Sequence, residues 1–197
     1  YDNVPDISKH NMTFPKLLSL NGYDVFGSIY FKHGREILSS LFGFIEKRFI
    51  PKGLSHRKEV WSNQDMFNVF KNIINKHNWN KPTFCYLHYN VRIDDNISKI
   101  IQNTIDEIKN KGLLENSLIV INSDHGYPMP ERGWDPVKEK QNGWGHDKLL
   151  YNDNILTPLL IKYPQCKKEK YEELVSTLDI VPTICKILKI EHNWGEY

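Results

Sequence analysis

The sequence predicts an α/β fold with a mostly parallel sheet covered by helices on both faces. Three observations carry that expectation. Short apolar, β-rich runs alternate with segments of helical periodicity along the whole chain. Parallel strands need crossover connections, and helices supply them. With 197 residues, 40% of them hydrophobic, the chain can bury a sizeable core and is short enough for a single domain, or part of one, to be the default.

The elements follow in order. Thr13-Phe14-Pro15-Lys16-Leu17-Leu18 opens a short helix with a capping hydroxyl and a first-turn proline, and Gly22 is placed to end it. Asp24 to Tyr30 is β-rich enough for a strand, and Phe84-Cys85-Tyr86-Leu87-His88 is a second. Between them Met66, Phe67, Val69, Phe70, Ile73 and Ile74 recur at helical spacing from Asp65 to His77. A further helix is expected from about Asp94, where Ile93, Ile97, Ile100, Ile101, Ile105 and Ile108 form one buried stripe and Gly112 closes it. The strand Leu118 to Asn122, a long loop, the run Leu159 to Tyr163 and a last helix from Asp179 to Leu188, with Pro182 in its first turn, complete the order.

Charge and cysteine usage exclude several classes. The 26 basic and 24 acidic side chains leave a formal charge of +2, and Lys167-Lys168-Glu169-Lys170 reads as a solvated loop, so nothing argues for a nucleic-acid partner. No stretch approaches the roughly eighteen apolar residues of a membrane span. Cys85, Cys166 and Cys185 have neither disulfide pairing nor ligand spacing, and Cys85 and Cys185 read as small core residues.

Chemistry is expected where Leu118-Ile119-Val120-Ile121-Asn122 runs into Ser123-Asp124-His125-Gly126. A buried strand that ends in Asp-His delivers ligands at the carboxyl edge of a sheet, where open α/β proteins place their sites. Asp supplies a hard oxygen and neutral His a nitrogen, a pair that suits a divalent cation, and Gly126 permits a sharp turn. From Gly126 to Thr157 the chain has no sustained periodicity and holds three prolines and three glycines after its first residue. A loop of that length inside a domain is usually functional, and this one carries Gly145-His146-Asp147-Lys148 near its end.

The order of motifs resembles the sulfatase family of the alkaline phosphatase-like superfamily. Thr13 to Leu18 through Asn21-Gly22-Tyr23 is similar to the family's T-x-x-x-L-L-x-x-x-G-Y segment, and Lys81-Pro82-Thr83-Phe84 through His88-Tyr89 to its K-P-F-F-x-x-x-H-Y strand. Gly112-Leu113-Leu114-Glu115-Asn116-Ser117 leads into Ser123-Asp124-His125-Gly126 as the family's G-L-x-D-N-T leads into SDHG. Tyr151 with Pro158-Leu159-Leu160-Ile161, and Asp179 through Pro182-Thr183, match its last two motifs.

The resemblance covers nearly the whole chain and implies the family fold, a mainly parallel but mixed sheet flanked by helices on both faces. It also implies metal-assisted hydrolysis of a sulfate ester, with a phosphoesterase or phosphoethanolamine-type transferase of the same superfamily as the alternative. A third reading is a non-catalytic binding protein on the same fold, with Trp134 and Trp144 lining a surface. By direct match Asp124 and His125 inherit the metal, calcium first, with zinc or manganese as alternatives. His146, five residues before Tyr151, matches the histidine that faces the reacting group, and Lys148 is the nearest match to the family's lysine. Either could stabilise charge on a sulfuryl or phosphoryl oxygen. Lys32 and His33 fall near the place where many sulfatases carry substrate-contacting G-K-W-H, without its tryptophan spacing.

The family's nucleophile lies in C-x-P-x-R or S-x-P-x-R, where the Cys or Ser becomes formylglycine, and no cysteine here has that context. Nor does an acidic pair at a first strand end precede Thr13. Both absences are expected if residues 1–197 are a partial sulfatase-type catalytic domain, truncated at the N-terminus and also at the C-terminus. Such a piece should bind metal weakly and turn over no ester.

Overall fold

The computed structural model describes residues 12–30, 54, 60–90, 96–127 and 150–192. The chain divides into two compact units, Tyr1–Lys111 with Tyr171–Tyr197, and Gly112–Lys170.

The first unit is built on a parallel pair, β1 (Asp24–Ile29) and β2 (Thr83–His88), in register from Asp24 opposite Thr83 to Ile29 opposite His88. Alternation along a strand sends neighbouring side chains to opposite faces, and each face has found helices. Val25 and Phe84 pack with α1 (Phe14–Leu20) and α5 (Ile180–Leu188) around Leu18, Cys185 and Ile190. Phe26, Cys85 and Leu87 point the other way. There they join Trp61 and the Met66, Val69 and Ile73 side of α2 (Asn63–Lys76). Trp61, Met66 and Val69 have no exposed surface at all. The expected cover of helices on both faces is therefore present on this pair.

Local chemistry sets the helix ends. Thr13 accepts from the Lys16 N–H and Gly22 follows the α1 C-cap at φ +83°, a conformation that glycine adopts without a Cβ penalty. Helix α2 starts two residues before the expected Asp65, because Ser62 caps it and Asp65 returns the bond to the Ser62 N–H in a capping box. Its first residue also clasps the exit of β2. The Asn63 side chain donates to the Asn90 carbonyl at 2.7 Å and accepts the Asn90 N–H at 2.9 Å.

At the other end of α2, His77 is buried between the edges of the Phe26 and Trp79 rings. The Thr83 hydroxyl donates to the Lys81 carbonyl, so it can only accept from His77 Nε2, 3.0 Å away, and Asp24 Oδ2 lies 3.6 Å from the same nitrogen. One imidazole thus ties the end of α2 to the starts of both strands.

Helix α3 (Ile97–Asn110) packs against α2, with Lys71 and Glu107 paired at 2.8 Å. Its isoleucine stripe is half-buried rather than buried, and its described start is Ile97, because 91–95, including Ile93 and Asp94, lie outside the described residues. Gly112 follows the Lys111 C-cap at φ +73°, as the sequence predicts.

The second unit is built on an antiparallel pair, β3 (Ile119–Asn122) and β4 (Leu159–Lys162), in register from Ile119 opposite Lys162 to Asn122 opposite Leu159. Each unit thus holds its own two-stranded sheet, parallel in the first and antiparallel in the second. Antiparallel strands need no crossover helix, and the described residues between β3 and β4 form only the single turn α4 (Asn152–Ile155). Lys162 Nζ reaches from β4 to the carbonyls of Leu114 and Ser117, which holds the 3-10 turn Leu114–Asn116 that feeds β3. The run Lys167 to Lys170 is solvent-exposed, as its charge pattern suggests.

Candidate metal centre

Three β-branched residues, Ile119, Val120 and Ile121, favour the extended backbone of β3, and the strand stops where Asn122 and Ser123 introduce polar side chains. Antiparallel register then does something that a parallel pair would not. Asn122, the last residue of β3, lies opposite Leu159, the first of β4, so the segment leaving one strand and the segment entering the other share one end of the pair.

At that end the chain turns tightly. The Ser123 hydroxyl donates to the His125 carbonyl at 2.7 Å, and the His125 N–H donates to Asp124 Oδ1 at 2.9 Å. The Gly126 N–H donates to the Asn154 carbonyl at 2.7 Å. A Cβ on Gly126 would overlap the carbonyl oxygen of Asp153 and come within 2.8 Å of its carbonyl carbon. Gly126 is not among the residues of positive φ. The expectation of a glycine that permits a sharp turn is therefore refined, since what Gly126 permits is close approach to the backbone of α4.

The same turn orients the imidazole. His125 Nδ1 lies 2.7 Å from the Gly126 carbonyl, and a carbonyl oxygen can only accept, so Nδ1 carries the proton of that bond. In the neutral ring the lone pair then sits on Nε2, 3.7 Å from Asp124 Oδ2, with the two side chains 41% and 57% exposed. A carboxylate oxygen and an imidazole nitrogen at this separation, accessible from solvent, form a donor set that fits a divalent cation. A ring N–H donated to a backbone carbonyl is the support that metal-ligating histidines commonly have. Among the described residues no cluster of three potential metal ligands occurs, so the pair is two candidate donors.

Of the residues singled out in the sequence, Asp124 and His125 are brought together. His146, Lys148, Lys32 and His33 lie outside the described residues, as do Trp134 and Trp144. His88 ends β2, where its Nδ1 is 3.3 Å from the Tyr86 hydroxyl and its ring meets Tyr30 edge-on at 5.6 Å. The groups that sequence reasoning missed are the Asp153 and Asn154 carbonyls. The signal that could have found them is the apolar run Leu159-Leu160-Ile161, had it been taken as an antiparallel partner of Ile119-Val120-Ile121.

Comparison with known proteins gives a consistent family. The Sulfatase family model matches residues 95–190, which include Asp124, His125, His146 and Lys148. An ulvan-active sulfatase of Formosa agariphila is 28% identical over 98 residues, 49% of this chain and 13% of that protein. A second ulvan-active sulfatase of the same organism is 34% identical over 83 residues, 41% of this chain and 15% of that protein. The chain thus spans a small part of the length of these curated relatives. The crystal structure of the lipoteichoic acid synthase LtaP from Listeria monocytogenes superposes with a TM-score of 0.56 at 17% identity, covering 91% of this chain and 53% of that one.

Proposed function

On its similarity to the Sulfatase family model and its α/β fold, we propose that the chain belongs to the sulfatase family of the alkaline phosphatase-like superfamily and serves metal-dependent hydrolysis of a sulfate ester, with Asp124 and His125 as two of the metal ligands. One observation carries the reading: the His125 Nδ1–Gly126 carbonyl bond leaves the lone pair on Nε2, 3.7 Å from Asp124 Oδ2. Ca2+ is the first choice and Zn2+ or Mn2+ the alternatives. A bound cation would polarise a sulfuryl oxygen as a Lewis acid and hold the ester in place.

The remaining steps fall to side chains. His146 and Lys148 precede Asn154 by eight and six residues, within chain reach of the turn that Asn154 touches. There Lys148 would stabilise charge on the sulfuryl oxygens, and His146 would donate to the leaving oxygen. Lys32 and His33 would contact substrate. The sequence holds no Cys- or Ser-x-Pro-x-Arg, so the 197 residues by themselves lack the formylglycine nucleophile and turn over no ester. The substrate class is a sulfate ester of the kind for which the two Formosa agariphila proteins are named.

Paramagnetic broadening by Mn2+ tests the metal centre on the chain as it stands. The amide signals of Asp124, His125 and Gly126 should broaden first, and Asp124→Ala or His125→Ala should remove the effect. Broadening that both variants retain would exclude the pair as ligands. With Ca2+ present, inorganic sulfate should shift those signals more than inorganic phosphate does; the reverse preference would move the reading to phosphoryl transfer. Appreciable hydrolysis of an aryl sulfate by the chain alone would show that the nucleophile lies within it.

A further inference from the structure

We infer that the single helical turn Asn152–Ile155 is the positioning element of the Asp124–His125 pair, and that Gly126 is the residue through which it acts. The inference rests on the reading of Asp124 and His125 as metal ligands and adds what holds them.

The argument begins with exposure. Asp124 and His125 are both substantially solvent-accessible, and a two-ligand turn in water has many conformations to lose before it can grip an ion. Something must fix it. Within the turn, the bonds Ser123 Oγ to His125 carbonyl and His125 N–H to Asp124 Oδ1 set local shape but reach no other element. The Gly126 N–H to Asn154 carbonyl bond is different, because it spans 28 residues of sequence and joins the turn to a separate element.

That element is closed by its own backbone bonds and leads into a strand. The Asn154 and Ile155 N–H groups return to the Tyr151 carbonyl, the Leu156 N–H returns to the Asn152 carbonyl, and three residues later Leu159 enters β4 opposite Asn122. Asn154 is 5% exposed, whereas Tyr151, Ile155 and Leu156 around it are about half exposed. The turn of helix is therefore seated at Asn154, the residue that meets Gly126.

The Gly126 contact leaves no slack. A single added methyl would overlap the Asp153 carbonyl oxygen, which belongs to backbone and cannot rotate aside. Gly126 also supplies the carbonyl that accepts from His125 Nδ1. Its peptide units link the seat to the ligand ring: the N–H docks on α4 and the next carbonyl aims the imidazole. Displacing Gly126 displaces the Nε2 lone pair.

The test compares Gly126→Ala with Asp124→Ala in the full chain, with Mn2+ as the probe. The expected result is a metal affinity lower by roughly tenfold to a hundredfold in Gly126→Ala, the range for loss of a group that orients a ligand. Wild-type affinity in Gly126→Ala, alongside lost binding in Asp124→Ala, overturns the positioning role and leaves the metal ligands standing. Wild-type affinity in Asp124→Ala removes the metal reading itself, and the positioning role with it. If Gly126→Ala also lowers the unfolding temperature, amide exchange in the unaltered chain decides. A Gly126 amide that exchanges more slowly than an unstructured one, and more slowly again at saturating Ca2+, supports the role; any other exchange behaviour overturns it.

Discussion

The two strand pairs of this chain are used differently. The parallel pair β1–β2 is lined on both faces by side chains with almost no exposed surface, among them Leu18, Trp61, Met66, Val69 and Cys185. In the antiparallel unit no described hydrophobic side chain is buried, and its one buried described residue is the polar Asn154 beside the Asp-His turn. One unit concentrates apolar burial, the main source of folding free energy. The other holds the hydrogen-bonded turn that brings Asp124 and His125 together. Stability and chemistry should therefore respond to different substitutions.

The largest expected effect is on the first unit. Trp61→Ala removes the largest fully buried side chain and should cost about 3–5 kcal/mol in urea unfolding. A loss below about 1 kcal/mol would mean that burial there is not what stabilises the fold.

Alkaline pH should act on the same unit next. Burial pushes the Cys85 thiol up from 9.0 to about 12, and burial, against the Thr104 hydrogen bond, pushes the Tyr89 phenol up from 10.0 to about 12. Both groups have folded values above their unfolded ones. Their contribution is thus fully present below pH 9 and is lost as pH rises through about 12. Unfolding temperature should fall across that window, and Cys85→Ala should make the fall shallower; an unchanged slope would contradict the burial.

A smaller effect is expected from the cap of α2. Ser62→Ala breaks the capping box and should cost about 1 kcal/mol. The smallest effect on stability is expected at the proposed metal pair. Asp124→Ala should change unfolding free energy by less than about 0.5 kcal/mol, as exposed substitutions do. A cost of several kcal/mol would break the division between the two units.

Much of this was legible in the sequence, for reasons that differ by element. Helix α1 and helix α2 announce themselves through short-range chemistry: a hydroxyl cap and first-turn proline in α1, and apolar residues every three or four positions in α2. The turn that brings Asp124 and His125 together was legible because both side chains are adjacent in sequence and follow an apolar strand. Helix α4 was not, since four residues show no periodicity and their importance lies in touching Gly126, far away along the chain. The antiparallel sense of β3–β4 was hidden for a related reason. An alternation of strands and helices suggests crossovers, but a strand's direction depends on where the intervening chain returns, which no local pattern encodes. The function of Gly126 was misjudged in the same way, its close approach being to a backbone that sequence proximity does not reveal.

The Asn63 clasp on Asn90 has its own consequence. A carboxamide presents one N–H and one C=O side by side, as a peptide unit does, so Asn63 stands in for a neighbouring strand at the rung just past the end of β2. That rung is sealed by a side chain, and a foreign strand that could dock on an open edge finds both backbone groups of Asn90 taken. Aspartate in place of Asn63 would keep the acceptor and lose the donor, and would unseal half of it.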